Sequence, residues 1–291
     1  MRQILIILLS FRIAVAQDLV FEDGIYVEKA KPRDALLHKY TLDNISYKLN
    51  TTFIYDYYYQ DSSGIKYKFL RNKESWDNKN QLNITKYGSN EYNTIENLKI
   101  VVSDYLNTFA SFDSTYSQTV FNYDYLNKDK QPSDTVCAYF KRINPKYQRP
   151  CGDEATGVID NIKNVWMHPP RNYTFKILQL CPYPFYMRDN STSEWSWELE
   201  TGGFYLDPRW INATELIKIK YSYKRQKNEV IKTKLGDLDC NVTIANGFSK
   251  FNNGELNTEL KSYYNDKYGF VKLEYKTVNN SKIIIDLIEY Y

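Results

Sequence analysis

Two stretches hold residue types from which a site could be built. The first is Val165 to Arg171, VWMHPPR, with one of only two histidines in 291 residues. A histidine acts as a general base or nucleophile activator only when a partner side chain is within reach. Neither a G-x-S-x-G elbow nor a paired Cys–His signature is present. The other histidine, His38 in LLHKY, lies far upstream, and there is no H-E-x-x-H or EF-hand loop to suggest a metal. His168 therefore reads as a ring packed under Pro169 and Pro170 and hydrogen-bonded to a backbone carbonyl. The prolines hold this segment extended and set Arg171 at a defined place. There it can grip an anion or acidic headgroup in bidentate fashion, or pair with Asp207 or Glu198.

The second stretch is CPYPFY, Cys181 to Tyr186, followed by WSWELETGGFYLDPRW, Trp195 to Trp210. Tyr183, Phe185, Trp195, Trp197 and Trp210 form an aromatic constellation, with Trp195 and Trp197 on one face if the segment is a strand. Such a shelf suits stacking on sugars or contact with lipid chains, and it suits an ordinary core strand equally in kind. Glu194 and Glu198 flank the tryptophans as a conceivable glycosidase pair, but spacing alone does not set the separation that chemistry needs. No catalytic residue, metal or cofactor is assigned from the sequence. The binding candidates are His168, Arg171 and the five aromatics.

The elements that must position these residues begin after an export signal. Arg2, the apolar run Ile4–Leu9 and Ala14-Val15-Ala16 give the basic–apolar–small layout of a secretory leader over residues 1–16. The run is too short to span a membrane, so the mature chain is expected to carry no transmembrane segment. Removing the leader takes Lys+Arg from 38 to 36 against 35 acidic residues, a near balance that argues against a nucleic-acid partner. Four cysteines remain, Cys137, Cys151, Cys181 and Cys240. In an oxidising compartment they allow two bridges. Cys137 and Cys151 flank a proline-containing loop and are the favoured local pair, while Cys181 and Cys240 read equally well as free thiols in a core. Eight Asn-x-Ser/Thr triplets occur in a chain rich in Asn, Ser and Thr, where chance triplets are expected.

Aromatics make up 16% of the chain and 28 of them are tyrosines, a composition that favours half-buried pleated surfaces. Ile217 to Lys224 alternates apolar and polar without a break. The same period recurs in Leu238–Ile244, Val271–Tyr275 and Ile283–Leu287, with turn signals at Gly236, Asn253-Gly254, Asn265-Asp266, Gly269 and Asn279-Asn280. From about residue 214 onward the chain reads as an antiparallel meander. In the N-terminal half, Tyr47 to Tyr57 and Ile65 to Phe69 read as strands around a Ser62-Ser63-Gly64 turn. Leu98, Val102, Tyr105, Phe109 and Phe112 suggest a helix at about 95–112, although Ile100, Val102 and Asp104 also fit a strand. The polar stretches in 126–164 look like exposed connections.

VWMHPPR, FKILQLCPYPF, WSWEL, KTKLGDLDC and YYNDKYGFVKLEY together resemble a family of exported bacterial cell-envelope proteins with no assigned activity, mainly over residues 157–291. The C-terminal part is similar to uncharacterised envelope domains with an open half-barrel sheet, reminiscent of the lipoprotein-carrier fold. The resemblance implies a curved sheet with a concave, partly apolar face. Gln17 stands where a lipidated cysteine would be.

The expectation is a mainly β protein, an antiparallel curved sheet or open half-barrel with few helices. It comprises a signal (1–16), a β-rich region (17–135) and a half-barrel-like region (136–291). It would be soluble in the periplasm or outer envelope of a bacterium. It would bind a lipid or other amphiphilic small molecule, or an envelope protein partner, with Arg171 orienting the polar head. The rival readings are a carbohydrate-binding module or carbohydrate-active enzyme, and a structural envelope protein without a ligand site.

Overall fold

The computed structural model describes residues 19–22, 24–28, 44–48, 51–70, 83–91, 94–103, 119–126, 154–170, 173–202, 206, 210, 211, 213, 215–252 and 254–291. The strands are β1 (Leu19–Glu22), β2 (Ile25–Glu28), β3 (Thr52–Gln60), β4 (Lys66–Phe69), β5 (Ile84–Lys86) and β6 (Asn97–Ser103). They continue as β7 (Thr119–Leu126), β8 (Glu154–Asp160), β9 (Asn164–Met167), β10 (Phe185–Met187) and β11 (Glu194–Thr201). The last six are β12 (Ile217–Arg225), β13 (Glu229–Thr233), β14 (Gly236–Phe251), β15 (Gly254–Asn265), β16 (Gly269–Lys276) and β17 (Lys282–Tyr290). One 3-10 helix, Tyr173–Leu180, lies between β9 and β10.

Alternation decides most of these strands. In β12, Ile217, Ile219, Tyr221 and Tyr223 are buried while the residues between them are exposed, so one face can pack while the other meets water. The turns fall where the sequence signals them, with Gly64, Gly236, Gly269 and Asn280 at positive φ. Gly269 is required twice over, since a Cβ there would also meet the Tyr47 ring at 2.6 Å.

Apart from the small β1–β2 hairpin, the strands form one antiparallel sheet in the order β10-β9-β8-β7-β6-β3-β17-β16-β15-β14-β12-β11. β13 continues along β14 beyond β12, and β4 and β5 extend from β3. The ladder runs without a break across the boundary expected at residue 135, because β3 lies between β6 and β17. The helix expected at about 95–112 is a strand over Asn97–Ser103. Leu98, Ile100 and Val102 are all buried at period 2, and β3 and β7 supply ladder partners on both edges. Residues 104–112 of that expectation lie outside the described residues.

The two ends of the sheet are consecutive in the chain, joined only by Arg188 to Ser193. Eleven steps at ~4.8 Å would hold β10 and β11 roughly 50 Å apart in a flat sheet. The connection reaches at most about 25 Å. The sheet is therefore curved until its ends face each other, yet no pairing joins β10 to β11 and the barrel stays open.

The concave side is filled by the chain itself. Phe175, Ile177, Leu178 and Leu180 of the 3-10 helix are essentially inaccessible. Phe175 packs edge-on to Tyr57 of β3 and Phe69 of β4, each at 5.0 Å. From the other side, Thr258 Oγ1 of β15 donates to Leu180 O at 3.0 Å and Tyr221 OH of β12 donates to Gln179 O at 3.4 Å. A 3-10 segment leaves carbonyls unpaired, and the inward hydroxyls of the sheet satisfy two of them.

A polar network ties down the connection that crosses the open seam. Asp160, at the end of β8, is wholly buried. Its Oδ2 accepts from the backbone N–H groups of Ile45, Ser46 and Tyr47 at 2.7–3.0 Å, and its Oδ1 from Arg188 Nη2 at 2.7 Å. Arg188 Nε also donates to Asn161 O at 2.8 Å. Arg225 of β12 grips the connection from the far side, donating to the carbonyls of Met187, Asp189 and Thr192. Removing one partner of a buried ion pair strands the other. Asp160→Asn is expected to lower folding stability by about 3–5 kcal/mol, read as a shift of the urea midpoint, with Arg225→Lys causing a smaller loss.

Candidate functional site

β11 and β12 pair so that Trp195 lies opposite Tyr223 and Trp197 opposite Tyr221. Both pairs are stacked, at 5.6 Å and 5.4 Å between centroids, an arrangement worth ~0.5–1.5 kcal/mol each beyond the area buried. Tyr183 extends the cluster to Trp197 at 4.9 Å, and Trp166 reaches Trp197 at 5.5 Å across the seam. Phe185 of β10 meets Trp195 at 5.8 Å and Tyr223 at 5.3 Å. Aromatic contact thus substitutes for the missing ladder.

Among the candidates, Tyr183, Phe185 and Trp197 face this inner cluster and are 3%, 0% and 8% exposed. Trp195 is half-buried and reaches the surface; Trp210, also half-buried, packs on the same core. His168 follows β9, half-buried, with Nδ1 at 2.7 Å from Pro169 O and Nε2 at 3.3 Å from Tyr183 OH. A carbonyl only accepts, so Nδ1 carries the proton of that contact. Tyr183 OH also reaches Gln179 Oε1 at 3.2 Å, so the imidazole is tied into the inner packing. Arg171 lies outside the described residues, as do Asp207, Cys137 and Cys151.

Glu194 and Glu198 sit on the exposed face of β11, bound to Lys224 at 2.9 Å and Lys218 at 2.5 Å. Hydrogen bonds from these lysines hold both carboxyls below the usual range. Glycoside hydrolysis needs one carboxyl raised so that it can donate a proton, and neither is. Cys181 and Cys240 are buried free thiols, and burial pushes the Cys240 thiol up to about 12 and the Cys181 thiol up as well. Both stay protonated and unreactive near neutrality. Among the described residues no group of three His, Cys, Asp or Glu is placed to hold a metal.

A cavity of about 330 Å³ lies at the seam. Phe21, Gly24 and Tyr26 of the β1–β2 hairpin form one wall; Lys163 contributes from the β8–β9 turn. Met187, Asp189 and Thr192 come from the β10 end and its connection, and Glu194, Trp195 and Ser196 from β11. The hairpin is held by Asn164 Oδ1, which accepts from Tyr26 N at 2.8 Å, and by Asn161 Nδ2, which donates to Tyr26 O at 2.8 Å. Its tip sits on β11. Gly24 has φ +88, and a Cβ there would lie 2.4 Å from Ser196 O. Asn164 is wholly buried and its Nδ2 has no acceptor; its neighbours Tyr26, Lys163 and Met187 all line the cavity. Of these residues the sequence flagged only Trp195 for ligand contact. The others are turn and hairpin residues whose convergence depends on the sheet's curvature, and the one local hint was the polar NIKN run between two apolar strands.

No protein-family model matches the chain, and no curated protein does. Two solved structures have some likeness. One, from Bacteroides fragilis NCTC 9343 and described as an exported protein with a YmcC-like fold, is 10% identical, with a TM-score of 0.43 over 85% of this chain and 98% of that one. The other, described as a lipoprotein from Parabacteroides distasonis ATCC 8503, is 12% identical, with a TM-score of 0.29 over 85% of this chain and 97% of that one. Among the described residues no helix is long and apolar enough to cross a membrane.

Charge also gathers on the outer face, where Asp286 of β17 lies opposite Asp56 of β3. Asp56 is bound by Lys68 and by Tyr87 OH. Burial raises the Asp286 pKa, Lys272 opposes the shift, and Asp56 and Glu274 add to it. A raised folded value means the folded state binds the proton more tightly than the unfolded one. Stability is therefore lost as pH rises from about 3.9, the unfolded value, through the folded one. Asp286→Asn should stabilise the protein in urea at pH 7, with the gain fading below about pH 3.5.

Proposed function

We propose that the protein is an exported, non-enzymatic binding protein of the bacterial envelope that holds a small ligand at the seam between its sheet ends. The leader-like residues 1–16 support export. The carrying observation is the cavity of about 330 Å³, at the lower end of the range for small-molecule sites, with Trp195 in its wall.

The concave face is a weaker place for a ligand. The 3-10 helix occupies it, and Tyr183, Phe185 and Trp197 are spent on packing against the chain's own residues. A ligand chain lying along that face would first have to displace Phe175, Ile177 and Leu178. The seam instead offers an apolar wall of Tyr26, Met187 and Trp195 beside Lys163 and Asp189, which suits a ligand with one apolar face and a polar edge. A carbohydrate-active enzyme is disfavoured by the lysine-bound state of Glu194 and Glu198.

Protein purified from its native envelope should release a defined small molecule on denaturation, detected by mass spectrometry. Trp195→Ala, with an unchanged far-UV spectrum, should lose it. A wild-type protein with nothing bound, or a variant that retains the same molecule at equal stoichiometry, would overturn the assignment.

A further inference from the structure

We infer that the seam cavity takes one ring of a neutral saccharide, free or as the exposed end of a glycan, an inference that rests on the binding function proposed above. The walls differ in kind. Tyr26, steadied by Phe21 at 4.8 Å, stands on the hairpin side, and Trp195 on the β11 side. Aromatic walls suit the C–H faces of a pyranose, which are apolar although its edge is not. An acyl chain would want a continuous apolar channel. Here Lys163, Asp189, Thr192 and Glu194 interrupt the apolar surface.

The charges balance locally, which argues for a neutral ligand. Asp189 is held ionised chiefly by the backbone N–H and hydroxyl of Ser191, with Lys163 and Arg225 adding to the effect. Glu194 is held ionised by Lys224. An anionic headgroup would face two carboxylates against the single lysine in the wall, and a cation would meet carboxylates whose charge neighbouring cations already offset. Hydroxyl groups can use both kinds of residue, donating to the carboxylates and accepting from Lys163.

The test uses the mature full chain with neutral gluco-, galacto- and manno-configured trisaccharides, and separately a fluorescent fatty acid. Binding is read by saturation-transfer NMR and by titration. At least one trisaccharide should bind saturably. Its affinity should fall tenfold or more in Lys163→Gln, whose side chain is solvent-exposed, and in Trp195→Phe. Transfer should be strongest to the C–H protons of one ring rather than uniform along the oligosaccharide. If no trisaccharide saturates, or both variants bind as wild type does, the saccharide inference falls. If the fatty acid alone binds and the same variants abolish that binding, the seam remains a binding site and only the ligand class is wrong. If neither probe binds, the saccharide inference falls, and the function proposed above falls with it only where the protein from its native envelope also releases nothing. Repeating the titration with a trisaccharide glycolipid in micelles separates the sources: equal affinity indicates recognition of the sugar alone, and tighter binding a contribution from the lipid anchor.

Discussion

A carboxylate with no access to water, Asp160, holds the open ends of this sheet in place. Burying an unpaired charge costs several kcal/mol. Asp160 offsets that cost with three backbone donors and one guanidinium. The net stabilisation from such a group is small; its consequence is geometric. It fixes the Asn44–Lys48 bend against the end of β8 and sets Arg188 at the start of the β10–β11 connection. The bend in turn presents Tyr47, whose hydroxyl accepts from Phe270 N at 2.9 Å where β16 begins. Ser46 Oγ lies 2.6 Å from Tyr264 OH on β15. Both ends and the middle of the sheet are referred to one acidic side chain.

Curvature creates the problem that this network solves. A sheet bent until its ends face each other either closes its ladder or leaves two edges with unpaired backbone groups. Here β10 is only three residues long and β11 has the β1–β2 hairpin set against it at Ser196. Short length and a covering hairpin are both ways of protecting an edge. The hollow is protected differently, by a 3-10 helix whose carbonyls receive hydroxyls from β12 and β15. Truncating Phe175 in that helix would open a void against the stacked rings of Tyr57 and Phe69.

The sheet was largely legible in the sequence because a solvated antiparallel strand writes its burial into every second residue. β12, β14, β16 and β17 show this, and so do the turns with Gly236, Gly269 and Asn280. β6 was ambiguous because Leu98 and Val102 satisfy both the helical and the strand period, leaving Ile100 and the neighbouring strands to decide. The filling of the hollow was not legible. FKILQL has no period that distinguishes a segment laid inside a curved sheet from one at its edge. The orientation of the aromatic constellation was not legible, since residue type does not say which face of a bent strand is concave. Trp197 and Trp195, two residues apart on the same face, end with different exposures because one sits deeper along the curve.

The seam residues were hidden for a further reason. Lys163, Asp189 and Tyr26 belong to a turn, a connection and a hairpin separated by tens to more than a hundred positions. Nothing local relates them; what brings them together is the requirement that a six-residue connection bridge the two ends of the sheet. Regular strands leave little freedom for side chains that must converge on a ligand, because each inward position is already needed for packing. An unpaired seam relaxes that demand, and polar residues can stand there without interrupting a ladder. Loops carried by a rigid framework commonly hold function for the same reason, and local departures from regular structure concentrate where a site is built. Here the lined cavity and the break in hydrogen-bonded pairing fall at one place. That coincidence, more than the number of tryptophans, directs attention to the seam.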